Sequence, residues 1–321
     1  FERFGSDESA DKHFFVMELD YSGGYQWSVT GQRHHSYDGA LEISDTGTIY
    51  TILPVREGAT IGSTTFSERS LAILKINGDG SLNSVINLNQ PHASPNLFLI
   101  MDSLDLVIYK LDAFFSIDMS NGQITELQFL NSLIVDDIEE GKPGELLILG
   151  RHSNSPPSFL QQTIPYKVNK QIYIGIYSFE SEGWVDGFRT FGGKNVYPYQ
   201  HEELLYTENG QILLYGTFSC PCGDFSLYEK GGAGGLYHMD TLTSGDDMLG
   251  IWNYSGERLA YGYELFPFTD RTYMGPDIRF FDLNGSIGIT SRFDSYNGID
   301  ASSPTNGGLG IGVIYGALHD D

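Results

Sequence analysis

The sequence predicts an all-β chain assembled from recurring four-stranded antiparallel sheets. Three observations predict it. Almost nothing in the 321 residues carries the apolar period of a helix; short runs rich in Ile, Leu, Tyr and Phe alternate instead with Gly, Asn and Asp. The runs pair about a glycine, as hairpins do. The glycines also form two series that keep step with one another.

The first unit shows the pattern. Phe14 to Asp20 is an apolar strand, Gly23-Gly24 a turn, and Tyr25 to Val29 a second strand. Ala40 to Ser44, then Asp45-Thr46-Gly47, then Thr48 to Ile52 repeat the idea. First-half turns fall at Gly24, Gly80, Gly122, Gly183 and Gly256, and second-half turns at Gly47, Leu104, Gly144, Gly210 and Gly285. The offset within each unit stays between 22 and 29 residues while the spacing between units varies far more. One supersecondary unit with loops of variable length produces that combination. Each unit supplies four antiparallel strands, and such units pack face to face around an axis as a β-propeller.

Phe14 to Ile52 resembles the extracellular propeller repeats of bacteria, of the seven-bladed-propeller type. It shares their apolar strand, Asp-x-x-Gly turn, Trp-bearing strand and Ile-Tyr strand. Ile172 to Phe218, with Trp184 in the place of Trp27, and Leu249 to Phe293 are similar. Leu71 to Leu111 and Phe114 to Leu149 are degenerate: no Trp occurs, and Leu104 replaces the turn glycine.

The resemblance implies that the innermost strands are Gly39 to Ser44, Asn96 to Asp102, Ser132 to Glu139, His201 to Thr207 and Asp277 to Asp282. Further strands in Arg151 to Lys170 and Gly223 to Asp247 would raise five blades to six. Residues 1–321 are expected to form one propeller domain, with an acidic N-terminal segment at 1–12 and a ring closed by strands from both termini. Residues 308–321 carry a last apolar strand, with Leu309, Ile311, Val313 and Tyr315, serving closure or assembly. An unpaired strand edge is a template for a neighbouring molecule.

Charge and composition narrow the function. Lys and Arg number 18 against 42 Asp and Glu, a net charge of −24, which excludes a basic surface for nucleic acid or anionic membrane. With 40% apolar and 19% charged residues the composition is globular. No run reaches the roughly 18 apolar residues of a membrane span. Few lysines, 39 glycines and 20 tyrosines suggest a secreted or cell-surface protein. The chain begins at Phe1 rather than Met, as a processed or trimmed form would. Cys220 and Cys222, in Ser-Cys-Pro-Cys-Gly, suit a short loop disulfide or two free thiols; two thiolates do not complete a tetrahedral metal site.

Strand alternation separates the two ends of every sheet. The glycine turns share one end. The long segments Arg56 to Arg69, Arg151 to Lys170, Cys220 to Asp247 and Arg292 to Gly307 leave by the other, together with the links between blades. Function concentrates on loops held by a rigid scaffold, so the long-loop end is where a site is expected. The loops leading into the inner strands carry His34, His35 and Asp38; His92; Tyr197, Tyr199 and His201; and Asp270, Arg271 and Tyr273. His34, His92, His201, Tyr199 and Asp38 are the catalytic candidates. His35, Tyr197, Asp270, Arg271 and Tyr273 are the ligand-binding ones.

His with Tyr suits acid–base chemistry on an acidic sugar, as in some propeller-shaped polysaccharide lyases. Asp38, Glu203 and Asp277 suit the carboxylate pair of a glycoside hydrolase. No fixed ligand spacing or catalytic motif accompanies these residues. The function expected is therefore a non-catalytic structural, assembly or adhesion module, with a polysaccharide-active enzyme or a glycan-binding propeller as the alternative. Its partners would be other copies, other surface proteins or extracellular polysaccharide. Ca²⁺ is the one cofactor the acidity suggests. Asn77-Gly78-Asp79-Gly80 lacks the later acidic ligand of an EF-hand and reads as a turn. Trp27 and Trp184, at one repeat position, read as packing between blades.

Overall fold

The computed structural model describes residues 13–20, 24–32, 40–90, 97–152, 170–193, 197–198, 203–207, 209–219, 225–227, 246–263, 279–283, 286–293 and 310–316. The chain divides into two compact units, 1–131 and 132–321.

The first unit opens with a hairpin, β1 (His13–Leu19) and β2 (Tyr25–Gln32), which forms a sheet of its own. Sheet I follows. It consists of β3 (Ala40–Ile43), β4 (Ile49–Val55), β7 (Ser70–Ile76) and β8 (Leu82–Asn87), with a small hairpin, β5 (Thr60–Ile61) and β6 (Thr64–Thr65), inside its second connection. Sheet II runs β9 (Leu97–Met101), β10 (Leu106–Lys110), β11 (Phe114–Asp118) and β12 (Ile124–Glu126). Every pairing in both sheets is antiparallel and joins consecutive strands, apart from the detour through β5 and β6.

The second unit repeats the plan. Sheet III runs β13 (Ile134–Glu140), β14 (Glu145–His152), β15 (Lys170–Ser178) and β16 (Gly183–Gly193). Sheet IV begins with two short strands, β17 (Tyr197–Pro198) and β18 (Glu203–Tyr206), that pair with successive stretches of β19 (Gln211–Ser219). The strand β20 (Phe225–Leu227) pairs with β16 at the outer edge of sheet III. Sheet IV continues with β21 (Asp246–Asn253) and β22 (Arg258–Tyr263). A last sheet holds β23 (Arg279–Leu283), β24 (Ser286–Phe293) and β25 (Gly310–Gly316). The strands expected to lead their units at 39–44, 96–102, 132–139, 201–207 and 277–282 are β3, β9, β13, β18 and β23. Among the described residues no helix is long and apolar enough to cross a membrane.

Sheet I shows why its strands read as continuous apolar runs. On one face Leu53, Val55, Ala72, Leu74 and Ile76 pack with Val16, Trp27 and Val29 of the first hairpin and with Phe66. On the other, Tyr50, Ile52, Leu71 and Ile73 pack with Phe98, Ile100, Val107, Tyr109 and Ile117 of sheet II. A strand covered on both faces has no solvent side, so the two-residue alternation disappears. Sheets III and IV meet likewise, Leu147, Leu149, Ile172, Ile174, Ile176 and Phe188 against Leu204, Ile212, Leu214 and Trp252. Within each unit the leading strands are also neighbours: β3 lies against β9, and β18 lies against both β13 and β23.

The turns follow one chemical rule. A side-chain oxygen at the first position accepts hydrogen bonds from residues two to four further on, an Asx- or Ser/Thr-turn. Gly24 N–H donates to Asp20, Thr48 N–H to the Ser44 hydroxyl, and Gln211 N–H to that of Thr207. Asp118 accepts from the backbone and hydroxyl of Ser120 and from Asn121, and Asn253 from Ser255 and Glu257. At 77–81 Asp79 accepts the backbone and hydroxyl of Ser81, so Asn77-Gly78-Asp79-Gly80 is a turn closed by its own side chains. Two turns depart from the glycine rule. At the Leu104 position a short 3₁₀ turn, Asp102–Leu104, hands the left-handed conformation to Asp105 (φ 50°). In the turn before Gly183, Glu182 takes it (φ 48°).

The tryptophans divide. Trp27 donates its indole N–H to Gly78 O (3.2 Å) and lies over Gly80, joining the first hairpin to a turn of sheet I. Trp184 meets the ring of Tyr177 edge-on (5.6 Å), its cross-strand partner in sheet III. Trp252 is fully buried against Phe188, so it offers no face to a sugar.

Two outcomes test this account. Gly80 and Gly122 both sit at positive φ (81° and 73°), but a Cβ at Gly80 would stand 2.5 Å from the Trp27 ring while one at Gly122 meets nothing within 4 Å. In urea denaturation Gly122→Ala should cost about 1–2 kcal/mol of backbone strain. Gly80→Ala should cost about 1–3 kcal/mol more, from overpacking against the indole. Equal costs would remove Trp27 from the packing.

The second outcome concerns acid. Hydrogen bonds from Ser81 hold Asp79 below its ordinary carboxylate pKa of 3.8, and those from Ser120, then Asn121, do the same for Asp118. A depressed folded-state pKa stabilises fully above the ordinary value and is lost as pH falls through the lower folded one. The stability difference between the parent and Asp79→Asn/Asp118→Asn should therefore be constant above pH 5 and change as pH drops below about 3.8. A difference independent of pH would contradict it.

Candidate functional site

Most residues nominated from the sequence lie outside the described residues: His34, His35, Asp38, His92, Tyr199, His201, Asp270, Arg271, Tyr273 and Asp277, and also Cys220, Cys222 and Leu309. Tyr197 lies in β17, paired with Ser219, and Glu203 opens β18, paired with Tyr215. Ile311, Val313 and Tyr315 lie in β25, paired with Arg292, Thr290 and Gly288. Tyr199 and His201 thus belong to the four residues between β17 and β18. No group of three or more His, Cys, Asp or Glu among the described residues is arranged to hold a metal.

Where β18 begins, the described residues do build a polar cluster. It starts from a defect in β13. Val135 pairs with Gly150 and Asp137 with Leu149, so Asp136 is the extra residue of a β-bulge. The bulge turns two consecutive carboxylates in different directions. Asp136 faces back along its own sheet and takes both its oxygens to Arg151, accepting from Nε at 2.7 Å and from Nη2. Asp137 faces the next sheet and accepts the backbone N–H of Leu204 at 2.8 Å.

Arg151 is the last residue but one of β14, beside the exit of the segment 153–169, so the cluster lies at the long-connection end of sheet III. The guanidinium side chain is 32% exposed and the Asp136 side chain 12%. Tyr173 lies across the strand from Gly150, where a Cβ would run into its hydroxyl. Burial, then the charge of Asp136, push its pKa up. Tyr173 is therefore a protonated phenol at any physiological pH and no base.

At the short-turn end of the same sheets a second polar group joins sheet III to sheet IV. The Tyr254 hydroxyl donates to Glu145 (2.6 Å) and accepts the Lys142 backbone N–H (3.2 Å). The Lys142 ammonium stands 4.3 Å above the Tyr254 ring, and Tyr206 meets that ring edge-on at 5.3 Å. Burial and the bond to Glu145 raise the Tyr254 pKa, keeping the phenol a donor. In the first unit the corresponding link is Asp102, which accepts the Asp45 N–H of sheet I at 2.7 Å. These groups can brace and orient; none is a paired acid and base.

Sequence reasoning placed β13 at 132–139 but passed over Asp136, Asp137 and Arg151. The available signal was Asp136-Asp137 itself: two successive acids in an apolar strand break the in–out alternation, as a bulge does.

No family model matches this chain, and no curated protein does. Among solved structures it is similar to the acylaminoacyl peptidase of Pyrococcus horikoshii, at 12% identity and a TM-score of 0.41, over 88% of this chain and 46% of that one. It is similar to the β-propeller domain of the Trilobed protease from Pyrococcus furiosus, at 8% identity and a TM-score of 0.40, over 88% and 84%. BamB from Moraxella catarrhalis matches at 10% identity and a TM-score of 0.33, over 86% and 87%. The chain spans less than half the length of the acylaminoacyl peptidase chains it matches. Likenesses at this level carry no activity, ligand or partner from one chain to another.

Asp137→Ala leaves the Leu204 N–H without its acceptor and should cost about 1–3 kcal/mol in urea denaturation. Asp137→Asn keeps an acceptor oxygen and should cost clearly less. Equal costs for the two would mean that the carboxylate does not hold the neighbouring strand.

Proposed function

We propose that the chain is a secreted or cell-surface β-propeller that works as a non-catalytic scaffold, presenting the connections of its long-loop end to a partner. Four-stranded antiparallel sheets packed face to face, with their leading strands side by side, support the architecture. One observation carries the non-catalytic reading. Six described carboxylates at the sheet ends are engaged in holding the frame: Asp79 and Asp118 in turns, Asp102 and Asp137 on the backbone of the next sheet, Asp136 on Arg151, Glu145 on Tyr254.

Chain length is placed at the other end in sheets I, III and IV, and not in sheet II, whose second connection is residues 111–113. The first and third connections are short turns, whereas the second connections of sheets I, III and IV span 14 residues or more. Partners in keeping with the charge are neutral or cationic surfaces, extracellular polysaccharide and other copies of the chain. Weak Ca²⁺ binding through the acidic surface belongs to the same reading.

A screen of acidic and neutral polysaccharides, read for binding and for new chain ends, tests this directly. The expected result is retention of one or more polymers, or of none, with no new ends formed. New ends that disappear in His34→Ala, His92→Ala or His201→Ala, with the fold retained by circular dichroism, would overturn the scaffold reading in favour of a polysaccharide-active enzyme.

A further inference from the structure

Asn-Gly occurs six times in the sequence, and the pairs at 77–78, 121–122 and 209–210 lie among the described residues. An Asn followed by Gly carries the parts of a reaction. The glycine backbone nitrogen can attack the Asn side-chain carbon, because no Cβ on the second residue stands in the way. A nitrogen whose N–H is already hydrogen-bonded must first give up that bond. The three pairs differ in this respect.

The difference comes from their places in the turn. Asn121 and Asn209 stand immediately before a positive-φ glycine, whose N–H closes the turn: Gly122 donates to Asp118 O at 2.7 Å, and Gly210 to Thr207 O at 2.9 Å. The Asn121 side chain is committed as well, accepting from Gln123 N–H and donating to Asp118. Asn77 stands at the first position of its turn, as Asp20, Ser44, Asp118, Thr207 and Asn253 do in theirs. Of these six leaders Asn77 alone is followed by glycine. The bond across its turn runs from Gly80 N–H to Asn77 O (2.9 Å), so it uses the second glycine. Among the described residues Gly78 N–H has no hydrogen bond.

The surroundings suit the attack. Asn83 Nδ2 donates to Asn77 Oδ1 at 3.1 Å, facing the oxygen on which negative charge develops. Gly78 is exposed, so water reaches the site. The adjoining Asp79-Gly80 pair is not equivalent: Gly80 N–H is the turn bond, and hydrogen bonds from Ser81 keep Asp79 ionised, a poor target for a nucleophile.

We propose that Asn77 is a self-modifying site that deamidates in the folded protein. Gly78 N bonds to Asn77 Cγ, the Cγ–Nδ2 bond breaks, and the nitrogen departs as ammonia with the Gly78 proton. Water then opens the cyclic imide at either carbonyl, leaving aspartate or isoaspartate. Water is the one co-reactant. Either product loses the bond from Nδ2 to Ser81 Oγ (2.8 Å) and brings a second carboxylate to the hydroxyl that Asp79 already accepts. Isoaspartate also lengthens the main chain just before Gly78 O, the acceptor of the Trp27 indole. The reaction therefore loosens the first hairpin from sheet I.

Ageing the full-length chain in neutral buffer, native and in urea, with isoaspartate-resolving peptide mapping, tests this. In the native protein Asn77 should convert about three to ten times faster than Asn121 or Asn209, the factor that one net backbone hydrogen bond represents. In urea the three rates should converge. Exposure alone predicts the opposite native order, since Asn121 and Asn209 are exposed and Asn77 is half-buried. The Trp27 indole N–H resonance should shift in step with the conversion. In Gly78→Ala both changes should be suppressed, with Asn121 and Asn209 unaffected. Asn77 preserved in the native protein, or converting no faster there than Asn121 and Asn209, would overturn the site. Conversion that leaves the Trp27 resonance in place would overturn its consequence.

Discussion

A sheet whose leading strand lies against the next sheet's leading strand, without a ladder between them, leaves backbone N–H groups facing a neighbour that has no carbonyl in register to receive them. Buried N–H groups must be satisfied. In this protein a carboxylate meets that constraint at Leu204, whose buried N–H donates to Asp137 of β13. A second carboxylate, Asp102 just beyond β9, accepts the N–H of Asp45 in an exposed turn of sheet I and so adds a link between sheets. Both are hydrogen bonds to a charged acceptor, the stronger class. The apolar faces bring sheets together without fixing their offset, because the hydrophobic effect has no direction. The carboxylates fix it.

The same constraint accounts for part of the acidity. A net charge of −24 reads at first as a property of the surface, excluding polyanions. Several of the acids that produce it are parts of the frame: two between sheets, two or more within turns, one on Arg151, one on Tyr254. The bulge at Asp136 is the clearest instance. One extra residue lets adjacent acids serve two different sheets, which a regular strand, sending alternate side chains to opposite faces, also allows but without the lateral offset that brings Asp136 onto Arg151.

Much of the fold was legible in the sequence for a local reason. Turn residues such as Asp20, Asp79, Asp118 and Asn253 bond to their own backbone within four residues, so their positions need no tertiary information. The leading strands could be placed because the turns bracket them. What escaped is non-local. The division of labour between Asp136 and Asp137 depends on Arg151 and Leu204, 15 and 67 residues further along the chain. Of the site nominated from His, Tyr and Asp in the leading loops, Tyr197 and Glu203 fall in the described strands, while Asp136 and Asp137 were marked in the sequence only as two successive acids in an apolar strand and Arg151 by no motif.

Amide hydrogen exchange at Asp45 reaches this claim most directly. Asp45 is an exposed turn residue whose N–H has a carboxylate of the next sheet as its acceptor. The account predicts that this amide is protected in the parent protein and exchanges at the rate of an open turn in Asp102→Ala, with the strands of sheet I unchanged. An Asp45 amide that exchanges freely in the parent, or stays protected without Asp102, would contradict it.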